Sequence, residues 1–163
     1  MVVREATPAD MAAVAEILND IIANTTAVWT EEPVDAENRR AWLEDRTRSS
    51  YPVLVAERDG VIGFASFGDF RPPPGYCGTV ELSVHVRAGE RGGGVGTELV
   101  SELIERATAL GKHVLIAGVE ATNTASLRLH GRLGFRQVAY LPEVGRKFNR
   151  WLDLVLLHRP LQL

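Results

Sequence analysis

Between residues 80 and 111 the hydrophobic pattern changes period once, and that change frames the chain. Val80, Leu82, Val84 and Val86 alternate with Glu81, Ser83 and His85, which predicts a half-buried strand. Beyond a glycine-rich interval, Val95, Leu99, Leu103, Ala107 and Leu110 recur near helical spacing, and Gly111 stands where a helix ends. Upstream, residues 2–6 predict a short strand. Thr7-Pro8-Ala9-Asp10 then reads as a helix start, with a capping threonine, a proline at the first helical position and an acid three places past the cap. Met11, Val14, Ile17, Leu18 and Ile21 form the apolar stripe of that helix. Residues 24–33 follow no period and are predicted as loop. Asp35 is placed to cap a second helix reaching Arg48, with Ala41, Trp42 and Leu43 packing inward.

Residues 52–56 and 61–67 predict a strand pair around the turn Arg58-Asp59-Gly60, and residues 68–76 a proline-rich connection. Residues 114–120 form an apolar strand bounded by turn signals. Residues 123–133 form a short helix stopped by Gly134, and residues 135–140 and 151–157 are the last strands, joined by a loop over 142–150. The order β-α-α-β-β-β-α-β-α-β-β, without internal repeat, predicts one α/β domain over residues 1–163 built on a mixed sheet. A chain of 163 residues that is 45% hydrophobic suits a single sizeable core.

Charge and cysteine content narrow the partners. A formal net charge of -3 without a basic block gives no electrostatic case for nucleic acid. Cys77 is alone, so no internal disulfide forms and a reducing compartment is expected. The charged start Met1-Val2-Val3-Arg4-Glu5 and the lack of a long apolar run argue against secretion or a membrane and for a cytoplasmic protein.

The interval between strand and helix carries glycine at positions 89, 92, 93, 94 and 96. Glycines there let backbone N–H groups converge, and the helix start adds its positive end, so the loop suits a phosphate or pyrophosphate. A P-loop needs Lys and Ser/Thr after its last glycine, but Val95 and Gly96 follow Gly94. A Gly-x-Gly-x-x-Gly fingerprint fails as well, since counting from Gly92 ends on Thr97 and counting from Gly94 ends on Leu99. The pattern Arg/Gln-x-x-Gly-x-Gly/Ala is filled by Arg91, Gly94 and Gly96 after an alternating strand, and it resembles the acetyl-CoA pyrophosphate loop of the GNAT acetyltransferase superfamily. The predicted element order is similar to the GNAT order over nearly the whole chain, a mostly antiparallel sheet flanked by helices.

A second motif, Asn123-x-x-Ser126-x-x-Leu129-His130-x-x-Leu133-Gly134-Phe135, resembles the segment with which that superfamily holds the arm of CoA. Most members have tyrosine at the place of His130. Histidine there, with Glu81 early on the strand, is similar to the phosphinothricin and methionine-sulfoximine N-acetyltransferases, and the sequences around Trp29, Phe70 and Lys147 lie closer to the methionine-sulfoximine branch. Two positions depart from the pattern: Gly93 replaces a usual lysine or arginine in the loop, and His85 replaces a usual tyrosine.

The resemblance implies an acetyl-CoA-dependent N-acetyltransferase acting on the α-amine of a small amino-acid analogue such as methionine sulfoximine, methionine sulfone or phosphinothricin, a detoxification-type activity without a metal. It implies cosubstrate contacts at Val84, His85, Val86, Arg91, Gly92, Gly93, Gly94, Val95, Gly96, Thr97, Asn123 and Ser126. Glu81 is the candidate base for the amine, or else a solvated residue on the polar side of its strand. His130 is a candidate acid for the departing thiolate, or else a packing residue between Leu127 and Leu133. Arg71 suits a substrate carboxylate. Phe70, Gly75, Tyr76 and Trp29 are candidates for the substrate pocket, and Lys147 and Phe148 for reaching a neighbouring subunit's site, because the relatives resembled are commonly homodimers. Two other readings stay open: a GNAT enzyme for a polyamine or protein N-terminus, and a CoA-binding module without turnover. Arg71 argues against a polyamine, and Glu81 with His130 against an inert module.

Overall fold

A computed structural model describes residues 1–161. The strands are β1 (Val2–Glu5), β2 (Val53–Glu57), β3 (Val61–Asp69), β4 (Thr79–Val86), β5 (Val114–Glu120), β6 (Arg136–Lys147) and β7 (Arg150–Pro160). The helices are α1 (Met11–Asn24), α2 (Ala36–Arg48), α3 (Val95–Ala109) and α4 (Thr124–Arg132). The strands form one seven-stranded sheet in the order β1-β2-β3-β4-β5-β7-β6, mixed and mostly antiparallel as expected. The parallel pair is β4 with β5.

Local chemistry explains the helix starts. The Asp10 carboxylate accepts from the Thr7 N–H at 2.7 Å, which fixes the 3-10 turn Pro8–Asp10 leading into α1. Asp35 accepts from the Asn38 N–H at 2.8 Å and starts α2. Each face of the sheet then buries its own core. Met11, Val14 and Ile17 of α1 and Leu43 of α2 cover Val55 and Phe64 on one side. Leu99, Leu103 and Ala107 of α3 cover Leu54, Phe67, Leu82 and Leu115 on the other. Fully buried leucines such as Leu99 and Leu103 each contribute about 1.5–3 kcal/mol relative to exposure.

Three expectations change. Ala41 is exposed, and so is Leu110, which follows the last turn of α3 as its cap. The loop expected over 142–150 is mostly strand: β6 runs to Lys147, and the turn narrows to Phe148 and Asn149. Pro142 hides this because it cannot join a ladder. The register shifts between Leu141 and Gly145, with Glu143 at φ 51°, so a bulge on an edge strand absorbs the proline.

One feature of the sheet creates the site. The β4–β5 register runs from Thr79↔Val114 to Leu82↔Ala117 and stops, although β4 continues to Val86 and β5 to Glu120. From Ser83 onward, among the described residues, β4 has ladder partners on its β3 side only. The edge facing β5 is therefore open to a ligand.

Candidate functional site

At this opening lies a cavity of about 630 Å³. Its walls come from the second half of β4 (Val84, His85, Val86), the loop and start of α3, the end of α1 with the segment after it, and the start of α4. The structure thus brings together Val84, His85, Val86, Arg91, Gly92, Gly94, Val95, Gly96, Thr97, Asn123 and Ser126, the positions expected to hold acetyl-CoA; Gly93 is not part of the wall.

The glycines have different jobs. Gly92 and Gly94 have φ 83° and 86°, left-handed values that L side chains rarely adopt, and Gly94 is the residue from which α3 starts. The first N–H groups of the 15-residue helix have no intrahelical acceptor and face the cavity through Val95, Gly96 and Thr97. Gly96 serves packing: a Cβ there would lie 2.7 Å from Leu129 Cδ1, so its bareness lets α4 approach α3. Arg91 and Arg132 bring cations to the same wall. Sequence reading did not assign Arg132, which stands at the last turn of α4, and it provides positive charge that Gly93 does not. The carboxylate of Glu90, also in the wall, is paired with Arg58 at 2.5 Å. A backbone anion cradle with two nearby guanidiniums fits the pyrophosphate of acetyl-CoA.

Asn123 caps α4, its Oδ1 accepting from the Ser126 N–H at 3.2 Å. His130 follows on the same helix, but its ring is buried and is absent from the cavity wall. Nδ1 lies 2.8 Å from the Ser126 carbonyl, which requires the proton on Nδ1; Nε2 is buried without a partner among the described residues, and Phe135 meets the ring edge-on at 5.1 Å. Burial lowers the His130 pKa, opposed by its bond to Ser126. The ring is thus held neutral, with a bare nitrogen rather than a spare proton.

Glu81 sits before the strands part. A Cβ on Gly118 of β5 would be 3.2 Å from Glu81 Oε2, so the missing side chain makes room for the carboxylate. Glu81 is reachable from solvent, yet the protein around it removes enough water to raise its pKa, while the Arg71 charge pulls it back down. Arg71 stacks 5.1 Å over the Phe70 ring, and Phe70 meets Tyr76 edge-on at 5.9 Å. Gly75 lies in the exposed turn Pro74–Tyr76. The expected acceptor-side residues Phe70, Arg71, Gly75 and Tyr76 therefore fall on one connection, near Glu81 through Arg71. His85, farther along β4, stacks on Phe64 at 5.1 Å and is pushed down to about 4 by burial, helped by the Arg39 and Arg91 charges.

Lys147 is a correction. Its side chain is buried, and Nζ donates to the carbonyls of Ile22, Thr25 and Val28 at 2.7 Å each. With all three N–H donors used on backbone, it is not available to a substrate, here or in a second subunit. Trp29 is half-buried: its Nε1 donates to the Thr26 carbonyl at 2.9 Å, and its ring lies where a Cβ on Gly145 would be, 2.1 Å from Cε3. Phe148 is exposed at the hairpin turn, 4.7 Å from Lys147 Nζ. What sequence reading missed is the loop these residues hold. Thr25, Thr26 and Ala27 line the cavity, and Glu120, buried at the end of β5, accepts from Thr26 Oγ1 at 3.2 Å and Thr122 Oγ1 at 2.7 Å. A carboxylate closing an apolar strand was the available signal.

Comparison with known proteins agrees with this geometry. The acetyltransferase (GNAT) domain family matches residues 1–136. An L-methionine sulfoximine/L-methionine sulfone acetyltransferase of Pseudomonas aeruginosa is 50% identical over 157 residues, covering 95% of this chain and 91% of that protein. The structure of yncA from Salmonella typhimurium with its cofactor acetyl-CoA superposes with TM-score 0.97 at 48% identity, covering 100% of this chain and 95% of that one. A ribosomal-protein-alanine N-acetyltransferase from Brucella melitensis gives TM-score 0.97 at 51% identity over 99% and 100% of the two chains.

Proposed function

This chain belongs to the GNAT acetyltransferases and is an acetyl-CoA-dependent N-acetyltransferase, and on that premise we propose that its acceptor is the α-amine of a small amino-acid analogue of the methionine sulfoximine, methionine sulfone or phosphinothricin type. The observation that carries this reading is the position of Glu81 just before β4 and β5 part, with the Arg71 charge acting on it. A carboxylate for the ammonium proton and a guanidinium for the carboxylate match the two ends of an α-amino acid.

Acetyl-CoA supplies a thioester, whose carbonyl carbon forms the new C–N bond as the C–S bond breaks. The residues around it have separate tasks. Glu81, through a water, removes one proton from the substrate ammonium and so frees the lone pair; the proton that the nitrogen sheds as the C–N bond forms passes to the departing thiolate, which leaves as the CoA thiol. The backbone N–H groups of Val84 to Val86, lacking ladder partners on the β5 side, hold the acetyl carbonyl and the pantetheine arm. Asn123 and Ser126 border the same groove and orient the arm. His130 supports the groove by packing and carries no proton transfer in this scheme. Phe70 and Tyr76 wall the acceptor pocket beside Arg71.

The enzyme works as a homodimer in the cytoplasm. Val138, Tyr140, Val144, Phe148 and Trp151 leave an exposed apolar surface on the β6–β7 hairpin, and Cys77 is a free thiol. Thiol release from acetyl-CoA, measured side by side with methionine sulfoximine, methionine sulfone, phosphinothricin, spermidine and an alanine-terminated peptide, tests the acceptor. Turnover with the amino-acid analogues is expected; turnover with spermidine or the peptide alone overturns the reading.

A further inference from the structure

Two arginines of α2 face the sheet on the side where Glu81 stands. Arg39 and Arg46 bracket the Trp42 ring, with Cζ atoms 4.9 and 5.9 Å from its centroid. Arg46 reaches β3: a Cβ on Gly68 would lie 2.8 Å from its Cζ, so the guanidinium rests directly on the backbone of Gly68. Gly68 is the register partner of Glu81, and paired residues of antiparallel strands share a face. Arg46 therefore lies over the face of the sheet that carries Glu81, and the Arg71 charge acts on the Glu81 carboxylate. The Arg46 charge is poorly answered. Among the described residues its ion-pair partner is Asp45, its own chain neighbour, at 3.7 Å, and its Nε is buried with no hydrogen-bond partner. The side chain keeps 28% of its surface accessible.

We propose that Arg46 is a substrate-recognition residue, its guanidinium on Gly68 donating to the oxygens that the acceptor's side chain carries on sulfur or phosphorus while Arg71 takes the α-carboxylate. This rests on the amino-acid acceptor proposed above and deepens it. Arg46, resting on the strand paired with that of the general base, and Arg71, whose charge acts on the base, divide the substrate's two oxygen-bearing ends between them. A thioether offers the same arginine only a weak acceptor, so the arrangement selects oxidised over unoxidised side chains. Gly68 belongs to the device, because any side chain there displaces the guanidinium while leaving its charge in the protein.

Steady-state kinetics of wild type, Arg46→Gln and Gly68→Ala with methionine sulfone and with methionine test this, with acetyl-CoA affinity and thermal melting as folding controls. In both variants kcat/KM for the sulfone is expected to fall about 10-fold or more, through KM, the scale of lost charge-assisted hydrogen bonds, while methionine changes by less than about 3-fold and acetyl-CoA affinity holds. If wild type acetylates both amino acids and the variants lower both alike, or neither, the Arg46 assignment is overturned and the acceptor class stands. A wild type that acetylates neither overturns both.

Discussion

A Cβ on Gly96 would lie 2.7 Å from Leu129 Cδ1, so the second residue of α3 touches the middle of α4 without a side chain between them. The contact separates two glycines that look alike in the sequence. Leu129 is only half-buried and its terminal methyl can swing aside, so Gly96→Ala should be nearly neutral, whereas Gly96→Val should cost about 1–3 kcal/mol by overpacking. In a Leu129→Ala background the cost of Gly96→Val should shrink. Chemical denaturation of the four proteins checks this, and an unchanged cost in the double variant would falsify the contact.

Gly94 should behave differently. Its Cβ position has nothing within 4 Å, so Gly94→Val leaves packing alone. The left-handed backbone then costs about 1–2 kcal/mol, and the side chain enters the anion cradle. Calorimetry should show a folded protein whose acetyl-CoA affinity is lower by about 10-fold or more, the scale of a few displaced hydrogen bonds.

Lys147→Met should act on stability rather than on acceptor binding. It strands three carbonyls, those of Ile22, Thr25 and Val28, and releases the segment whose Thr25, Thr26 and Ala27 line the cavity. A loss of about 3 kcal/mol is expected, lowering Tm by roughly 6–12 °C. KM for acetyl-CoA should rise with it. A variant with unchanged melting and a raised KM for the amino acid alone would return Lys147 to the substrate.

Glu81 and Arg71 predict the acid side of the activity profile. Burial raises the Glu81 pKa, so kcat/KM should fall with decreasing pH through a midpoint above the ordinary carboxylate value of 4.5. Arg71 holds that pKa down, so Arg71→Ala should move the midpoint to higher pH besides weakening amino-acid binding. Glu81→Gln should lower turnover about 10²–10⁴-fold with acetyl-CoA affinity intact. An acid limb that stays in place in Arg71→Ala would separate the two residues.

His85 gives the folded state a pH dependence. Its folded pKa of about 4 is below the ordinary 6.5, so between these values the unfolded chain takes a proton that the native protein refuses. The stability is fully present above about 6.5 and is lost as pH falls toward 4. His85→Phe keeps a ring on Phe64 without the titration, so denaturation midpoints should decline less over that window than in wild type. Equal declines would remove His85 from the acid response.

The sequence by itself determined much of this protein because its local signals agree with its fold. The alternation from Val80 to Val86, the glycines before Val95, the cap at Asp35 and the stops at Gly111 and Gly134 are short-range chemistry, and each lies where its pattern put it. That the cosubstrate residues line one cavity was legible for the same reason, since within each segment they are consecutive or one helical turn apart. Tertiary structure decided what depends on distant partners. Lys147 reads as a free cation until three carbonyls more than a hundred residues away close on it. His130 reads equally as an acid or a packing residue, and burial with the Ser126 carbonyl holds its proton on Nδ1. The Trp29 ring lies on Gly145, more than a hundred residues away, and Pro142 reads as loop until an edge-strand bulge absorbs it. Arg46 carries no motif at all; its place opposite Glu81 exists only because α2 packs across β3 at a glycine. Periodicity reports which side of an element is apolar, whereas the fate of a single charged or aromatic side chain is set by what the fold brings to it.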